Sequence, residues 1–242
     1  MTFHLLVGFG ALCAGAVASV AGFGIGSLLT PTLGLRYGIK LAVAAVSIPH
    51  LLGSALRFAM IRRSLDRRVL LRFGLTSAAG GLTGALLHTV FSSPMLGVVL
   101  GALLIFAGGA GLTGLSRRMR FVGAGTWLAG ALSGLFGGLV GNQGGIRSAA
   151  LLGFELPKEA FVATATAVAL LVDGARMPVY LVAQARALWE IWPAIAVAAG
   201  GVLLGTVFGK GLLAWIPEPT FRRVVSAIIL ALGIALVLGV GR

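Results

Sequence analysis

Apolar runs of roughly 18 or more residues, each nearly free of charge, follow one another along the chain almost without pause. Inside hydrocarbon no water is present to bond the backbone, so such a run must satisfy its own N–H and C=O groups by forming a helix. A membrane β-barrel would alternate apolar and polar positions over segments of about ten residues, and no such alternation occurs. Composition agrees: of 242 residues, 58% are hydrophobic and 10% are charged, whereas about a quarter are charged in soluble domains. The mean hydropathy is +1.05. The sequence predicts an all-α polytopic membrane protein, with the lipid bilayer as its solvent.

The net charge of +13 raises the question of nucleic acid, and its placement argues against it. Basic residues gather in short loops, Arg62-Arg63-Ser64-Leu65-Asp66-Arg67-Arg68 and Arg117-Arg118-Met119-Arg120. Loops of that kind anchor the cytoplasmic side of a membrane protein. The single cysteine, Cys13, excludes an internal disulfide. Gly10-Ala11-Leu12 before it does not suit lipidation, and no positive flank marks a signal peptide, so the first apolar segment is expected to remain in the mature protein.

Taken in order, segment one runs from about Phe3 to Leu35, too long for one comfortable crossing at ~1.5 Å per residue. It is either one broken, tilted helix or a hairpin that enters and returns. Segment two covers about Leu41 to Ile61, segment three about Val69 to Val90, and segment four about Met95 to Leu115. Gly80-Gly81 and Gly84 in segment three suit close helix contact. The second half repeats the order: a broken segment from about Val122 to Leu156, a helix to about Ala183, and a link over Arg186 to Glu190. A segment ending near Ile216 and a last helix from about Phe221 to Val240 follow. The expectation is one transmembrane domain over 1–242, with repeat one about 3–116 and repeat two about 121–241. Re-entrant first segments would leave the repeats inverted, and fully crossing ones would leave them parallel. The distribution of Lys and Arg over the loops favours inversion.

The two halves share one unusual stretch. Gly22-Phe23-Gly24-Ile25-Gly26-Ser27 in the first half corresponds to Gly141-Asn142-Gln143-Gly144-Gly145-Ile146-Arg147-Ser148 in the second. Laying Gly22 on Gly141 also superimposes Gly15 on Gly134, Gly26 on Gly145, Leu33-Gly34 on Leu152-Gly153 and Arg57 on Arg176. Each glycine in a helix interior costs about 1 kcal/mol relative to Ala. A break leaves N–H groups at the positive end of a half-helix, an arrangement that favours an anion. Read without a ligand, the same glycines would only let helices pack closely.

The candidate substrate-binding residues are Gly24, Gly26, Ser27, Asn142, Gln143, Gly144 and Gly145 of the breaks, with Arg57, Arg147 and Arg176. An arginine in the bilayer costs roughly 2.5 kcal/mol or more and faces a partner or a wet cavity; Arg57 could instead snorkel to its nearby loop. Asp173 lies three residues before Arg176, on one helix face, where the two can neutralise each other. Ser148, Ser47, Thr164 and Thr166 are further hydroxyl donors or ordinary interhelical contacts. Asp173 and His50 are the two residues that could couple transport to protons, although His50 beside Pro49 also reads as a core histidine. His4, His50 and His88 lie on separate segments and Cys13 has no evident base. The sequence therefore calls for no metal, no cofactor and no enzymatic activity.

These residues resemble the sulfite exporter TauE/SafE family of small membrane permeases. That family carries two glycine-rich stretches, each leading to a proline or apolar run, then a short link and a helix opening of the Ala-Val-Ala-Thr-Ser type. Here the first copy is Gly22 to Gly26 with Pro31, followed by Leu41-Ala42-Val43-Ala44-Ala45-Val46-Ser47. The second is Gly141 to Gly145, followed by Leu156-Pro157-Lys158-Glu159-Ala160-Phe161-Val162-Ala163-Thr164-Ala165-Thr166. Ile25, Asn142-Gln143 and Arg147 depart from the pattern. The resemblance implies a multi-pass protein of the cytoplasmic membrane that transports a sulfur-containing anion such as sulfite or a sulfonate.

The expected function is a secondary permease for a small anion, with export favoured because an inside-negative potential drives an anion outward. A passive anion channel and a non-transporting membrane subunit remain as alternatives. Homodimerisation is compatible with small-residue faces such as Gly101-Ala102 and Gly108-Gly109-Ala110.

Overall fold

A computed structural model describes residues 2–115, 123–152, 154–213 and 217–239. Ten helices account for most of them: α1 (Thr2–Ala21), α2 (Ile25–Tyr37), α3 (Ile39–Ile61), α4 (Arg67–Val90) and α5 (Ser93–Leu112) in the first half. The second half contributes α6 (Ala124–Val140), α7 (Gly144–Leu152), α8 (Lys158–Glu190), α9 (Trp192–Leu213) and α10 (Glu218–Val237). No strand occurs among the described residues. Among the described residues, six helices are long and apolar enough to cross a membrane: α1, α3, α4, α5, α8 and α9. The basic stretch Arg117 to Arg120, Gly153, and the segment end near Ile216 lie outside the described residues.

Local chemistry sets the ends of these elements. Asp66 caps α4, its carboxylate accepting from the Val69 N–H at 3.0 Å. Its own N–H donates to Thr164 Oγ1 at 3.1 Å, which ties the basic loop to α8. Pro94 and Pro219 stand in the first turns of α5 and α10, where a missing N–H costs nothing. The expected link over Arg186 to Glu190 is instead the end of α8, which bends at Gln184 (φ −132°, ψ 20°) and continues. Ala185, Ala187 and Leu188 are good helix formers, and Arg186 pairs with Glu190 one turn on at 3.4 Å. Exposed Trp189 and Trp192 flank the following turn, as amphipathic rings do at headgroup level.

Three helix pairs lie backbone against backbone: α1 with α9, α4 with α6, and α5 with α10. In hydrocarbon apolar burial drives little association, so close packing of small residues replaces it. A methyl group added at Gly84 would fall on the Leu135 carbonyl, one at Gly80 on that of Ala131, and one at Gly138 on that of Gly81. Gly205 meets the Leu12 backbone in the same way. The small-residue face of α5, the sequence's ground for a homodimer, is used within the chain. Gly101 packs on Gly233 and Val237, and Gly108 on Leu230.

Inside these pairs, α3 packs against α8 across the centre of the bundle, with α2 and α9 also against α3. The buried polar residues concentrate here, where α3 and α8 meet α2 and α7.

Candidate functional site

Both glycine stretches end one helix and begin another. The helix α1 stops at Ala21, Gly22 bonds back to Ala18 O, and Gly24, at φ +131°, turns the chain into α2. In the second half, α6 stops at Val140, Gly141 takes a left-handed φ of +72°, and α7 begins at Gly144. L residues with a side chain rarely adopt either conformation, so glycine is required at Gly24 and Gly141. The first helical bonds beyond the breaks run from Leu28 N to Gly24 O and from Arg147 N to Gln143 O. The N–H groups before them in α2 and α7 therefore lack an acceptor within their own helix.

The two breaks meet and hold each other. Gly26 packs on the Gly141 carbonyl so closely that no side chain fits, and Phe23 lies on Gly144. Ser27 Oγ donates to Asn142 Oδ1 at 3.2 Å. Arg147 reaches back across the chain and donates from Nη2 to Gly22 O at 3.1 Å. Between them lies a cavity of about 10 Å³, walled by Phe23, Gly24, Gly26 and Ser27 from the first break and by Gly141 to Gly144 and Arg147 from the second, with His50 from α3. That is about the room one water needs.

Among the described residues, several groups at this cavity have no partner. Arg147 is 1% exposed, yet its Nε and Nη1 make no hydrogen bond, and neither does either end of the Gln143 amide. Each buried, unsatisfied polar group costs about 1–3 kcal/mol, and more when charged. Two helix N-termini and two unpartnered guanidinium nitrogens on one small cavity are groups of the kind that attract anionic oxygens.

Behind the cavity wall lies a charged relay. His50 Nδ1 stands 2.6 Å from Asp173 Oδ2, while Asp173 Oδ1 accepts from Arg176 Nη2 at 2.7 Å and Nε at 3.0 Å. Arg176 also donates from Nη1 to Gly137 O, Tyr180 to Gly138 O, and His88 to Leu139 O. Gly137 O already accepts from the Gly141 N–H and takes Arg176 as a second donor. The Gly138 and Leu139 carbonyls of the last turn of α6 are met by side chains of α8 and α4, which answers the need of a helix end away from water.

Of the residues singled out in the sequence, Gly24, Gly26, Ser27, Asn142, Gln143, Gly144, Arg147 and His50 come together on the cavity. Gly145 follows Gly144 in the first turn of α7. Arg176 and Asp173 stand one layer back, bonded to each other. Arg57 does not snorkel: it is 4% exposed and turns toward α8, donating from Nε to Thr166 Oγ1 at 2.9 Å, with Nη1 unpartnered. The hydroxyls of Ser47, Thr164 and Thr166 are engaged elsewhere, with Ala44 O, Asp66 N and Arg57 respectively. The sequence reading passed over Phe23 and Gly141 as site residues, although both lie inside the duplicated stretch that carried the signal.

A family model described as Sulfite exporter TauE/SafE matches residues 7–236, nearly the whole chain. No curated protein and no solved structure matches it. With six membrane-length helices and a family match of that extent, this chain belongs to the sulfite exporter TauE/SafE family, a family of membrane transporters rather than enzymes.

Proposed function

We propose that this protein is a secondary permease of the cytoplasmic membrane for a small sulfur-containing anion, sulfite or a sulfonate, bound where the two glycine breaks meet. The observation that carries this reading is Arg147, a guanidinium 1% exposed with Nε and Nη1 unpartnered on the cavity wall. A buried cation without a protein counter-ion is costly, and an anion between the N-termini of α2 and α7 relieves that cost. Gly24, Gly26, Ser27, Asn142, Gln143, Gly144 and Gly145 would shape the site, and Arg57, Arg176 and Asp173 would support it from behind.

The whole chain would form one transmembrane domain of two inverted repeats. The pairing supports the two-repeat part of this reading: α1 with α9 and α4 with α6 are the same contact with the two halves exchanged, while α3 packs on its counterpart α8 and α5 on α10. Inversion rests on the distribution of Lys and Arg over the loops. Repeats related in this way bind substrate near the midplane with discontinuous helices and expose it alternately by rocking one half against the other. A cavity of about 10 Å³ is too small for a sulfur oxyanion, so the site must widen to admit one, which favours a carrier over a permanently open channel. Export fits the energetics. One charge crossing 100 mV is worth about 2.3 kcal/mol, and a dianion leaving an inside-negative cell gains about twice that.

The test is a thermal-shift screen of the purified protein against sulfite, sulfate, thiosulfate, sulfoacetate, taurine and chloride, with Arg147→Gln run beside it. An anion at 100 times its dissociation constant adds about 2.7 kcal/mol to the folded state. We expect a rise in Tm with one or more sulfur anions in wild type and none in Arg147→Gln. No response to any anion by the wild type would sink the reading.

A further inference from the structure

His50 is the one cavity-wall residue of a type that ordinarily titrates in the neutral range, and its surroundings decide what its proton does. Its Nδ1 faces Asp173 Oδ2 at 2.6 Å, and Asp173 Oδ1 is held by Arg176 at 2.7 Å. With Arg176 fixing Asp173 as a carboxylate, Oδ2 can only accept, so Nδ1 must carry the hydrogen between them. In the neutral ring Nε2 is then a lone pair, and among the described residues it has no hydrogen-bond partner. An anion entering the cavity beside that lone pair meets an acceptor. Protonated, the same nitrogen becomes a charged donor.

We propose that His50 is a proton-binding site that makes anion binding proton-dependent: the anion enters together with one proton taken from water and held on Nε2, and the two cross the membrane as a unit. No covalent bond forms or breaks, and Asp173 keeps its charge throughout, balancing the imidazolium from behind. A dianion so accompanied moves with a net charge of −1, which halves the electrical drive on it and subjects its movement to the proton gradient. This rests on the anion-permease reading above.

The groups that face His50 are few. Asp173 and Arg176 approach from α8 and Arg147 from α7, and Arg57 lies two turns along α3 itself. Helices α5 and α6 contain no charged or titratable residue. In α2, Arg36 and Tyr37 gather around Phe3 at the end of that helix. Lys40, at the start of α3, donates to Thr89 O and Phe91 O. The one charged residue of α9, Lys210, has its side chain outside the described residues. The wall thus holds one exchangeable proton against fixed charges.

Calorimetric titration of the full-length protein with sulfoacetate and with sulfate, whose charges are constant between about pH 5 and 8, tests this over the range in which histidine changes charge. Runs in two buffers of different ionisation enthalpy count the protons taken up. The expected result is uptake of about one proton per anion on the alkaline side, with affinity falling about tenfold per pH unit there, as linkage requires of one shared proton. His50→Gln, which keeps an amide N–H near Nε2, should bind the anion with no proton uptake and a flat pH profile. Anion binding that is independent of pH in the wild type, or proton uptake that persists in His50→Gln, overturns the proposal and leaves the permease reading standing. Failure of both anions to bind wild type at every pH overturns both. Should His50→Gln fail to fold, the wild-type proton count and slope still decide the matter.

Discussion

At the residue scale the interior of this protein is an imbalance of charge. Three arginines, Arg57, Arg147 and Arg176, are buried to 4% exposure or less with one carboxylate, Asp173, among them. Arg176 and Asp173 neutralise each other, while Arg147 has neutral partners only. The two situations predict different responses. Replacing Asp173 by Asn leaves Arg176 buried without its counter-charge, a change that typically costs about 3–5 kcal/mol, so Tm in detergent should fall by many degrees with or without ligand. Arg147→Gln removes a charge that has no protein counter-ion. Its unliganded Tm should change far less, with the loss confined to the anion-dependent rise. Equal destabilisation by both would contradict this division of roles.

The pairing of Asp173 with Arg176 was legible in the sequence, because three positions along a helix place side chains on one face. The partners of His50, Arg57 and Arg147 were not. Asp173, Thr166 and Gly22 lie more than a hundred positions away from them in the chain, and nothing local to a residue records what the fold brings opposite it.

At the scale of elements, glycines do two separate jobs, and substitution distinguishes them. In α4, a side chain at Gly84 would run into the Leu135 carbonyl of α6. Gly84→Val should force that pair apart and cost about 1–3 kcal/mol, the usual penalty of overpacking. On α5, a methyl group at Gly109 meets nothing within 4 Å, and Gly109→Ala should be neutral or stabilise by up to about 1 kcal/mol through helix propensity. Thermal unfolding of both variants checks the contrast; a loss at Gly109 equal to that at Gly84 would mean that this face has a partner outside the chain. The approximate helix limits were readable from apolar length and from the glycine and proline punctuation. The end of α8 was not, because Arg186 and Glu190 have the polarity of a link and the propensity of a helix, and packing decides between them.

At the scale of the whole molecule, the proposed mechanism requires that the two breaks separate and rejoin. Ser27 and Asn142 touch at 3.2 Å across that junction. With Cys13 replaced by Ala, a Ser27→Cys/Asn142→Cys pair should crosslink on oxidation and stop anion flux into proteoliposomes. Reduction should restore the flux. Flux unchanged by the crosslink would show that the junction does not open during transport.

What the sequence determined by itself is whatever can be read within one segment: membrane helices from unbroken apolar length, two breaks from duplicated glycines, a positive interior from arginines set in apolar runs, and a family from the order of these parts. Each follows from short-range physics, the helix hydrogen bond and the exclusion of charge from hydrocarbon. The tertiary structure alone decided what lies across from what. It closed the breaks on each other, set Arg147 on their cavity with Nε and Nη1 unpartnered, placed Asp173 between His50 and Arg176, and used the small face of α5 on α10. Those outcomes depend on contacts between distant segments, and such contacts exist only once the helices have packed.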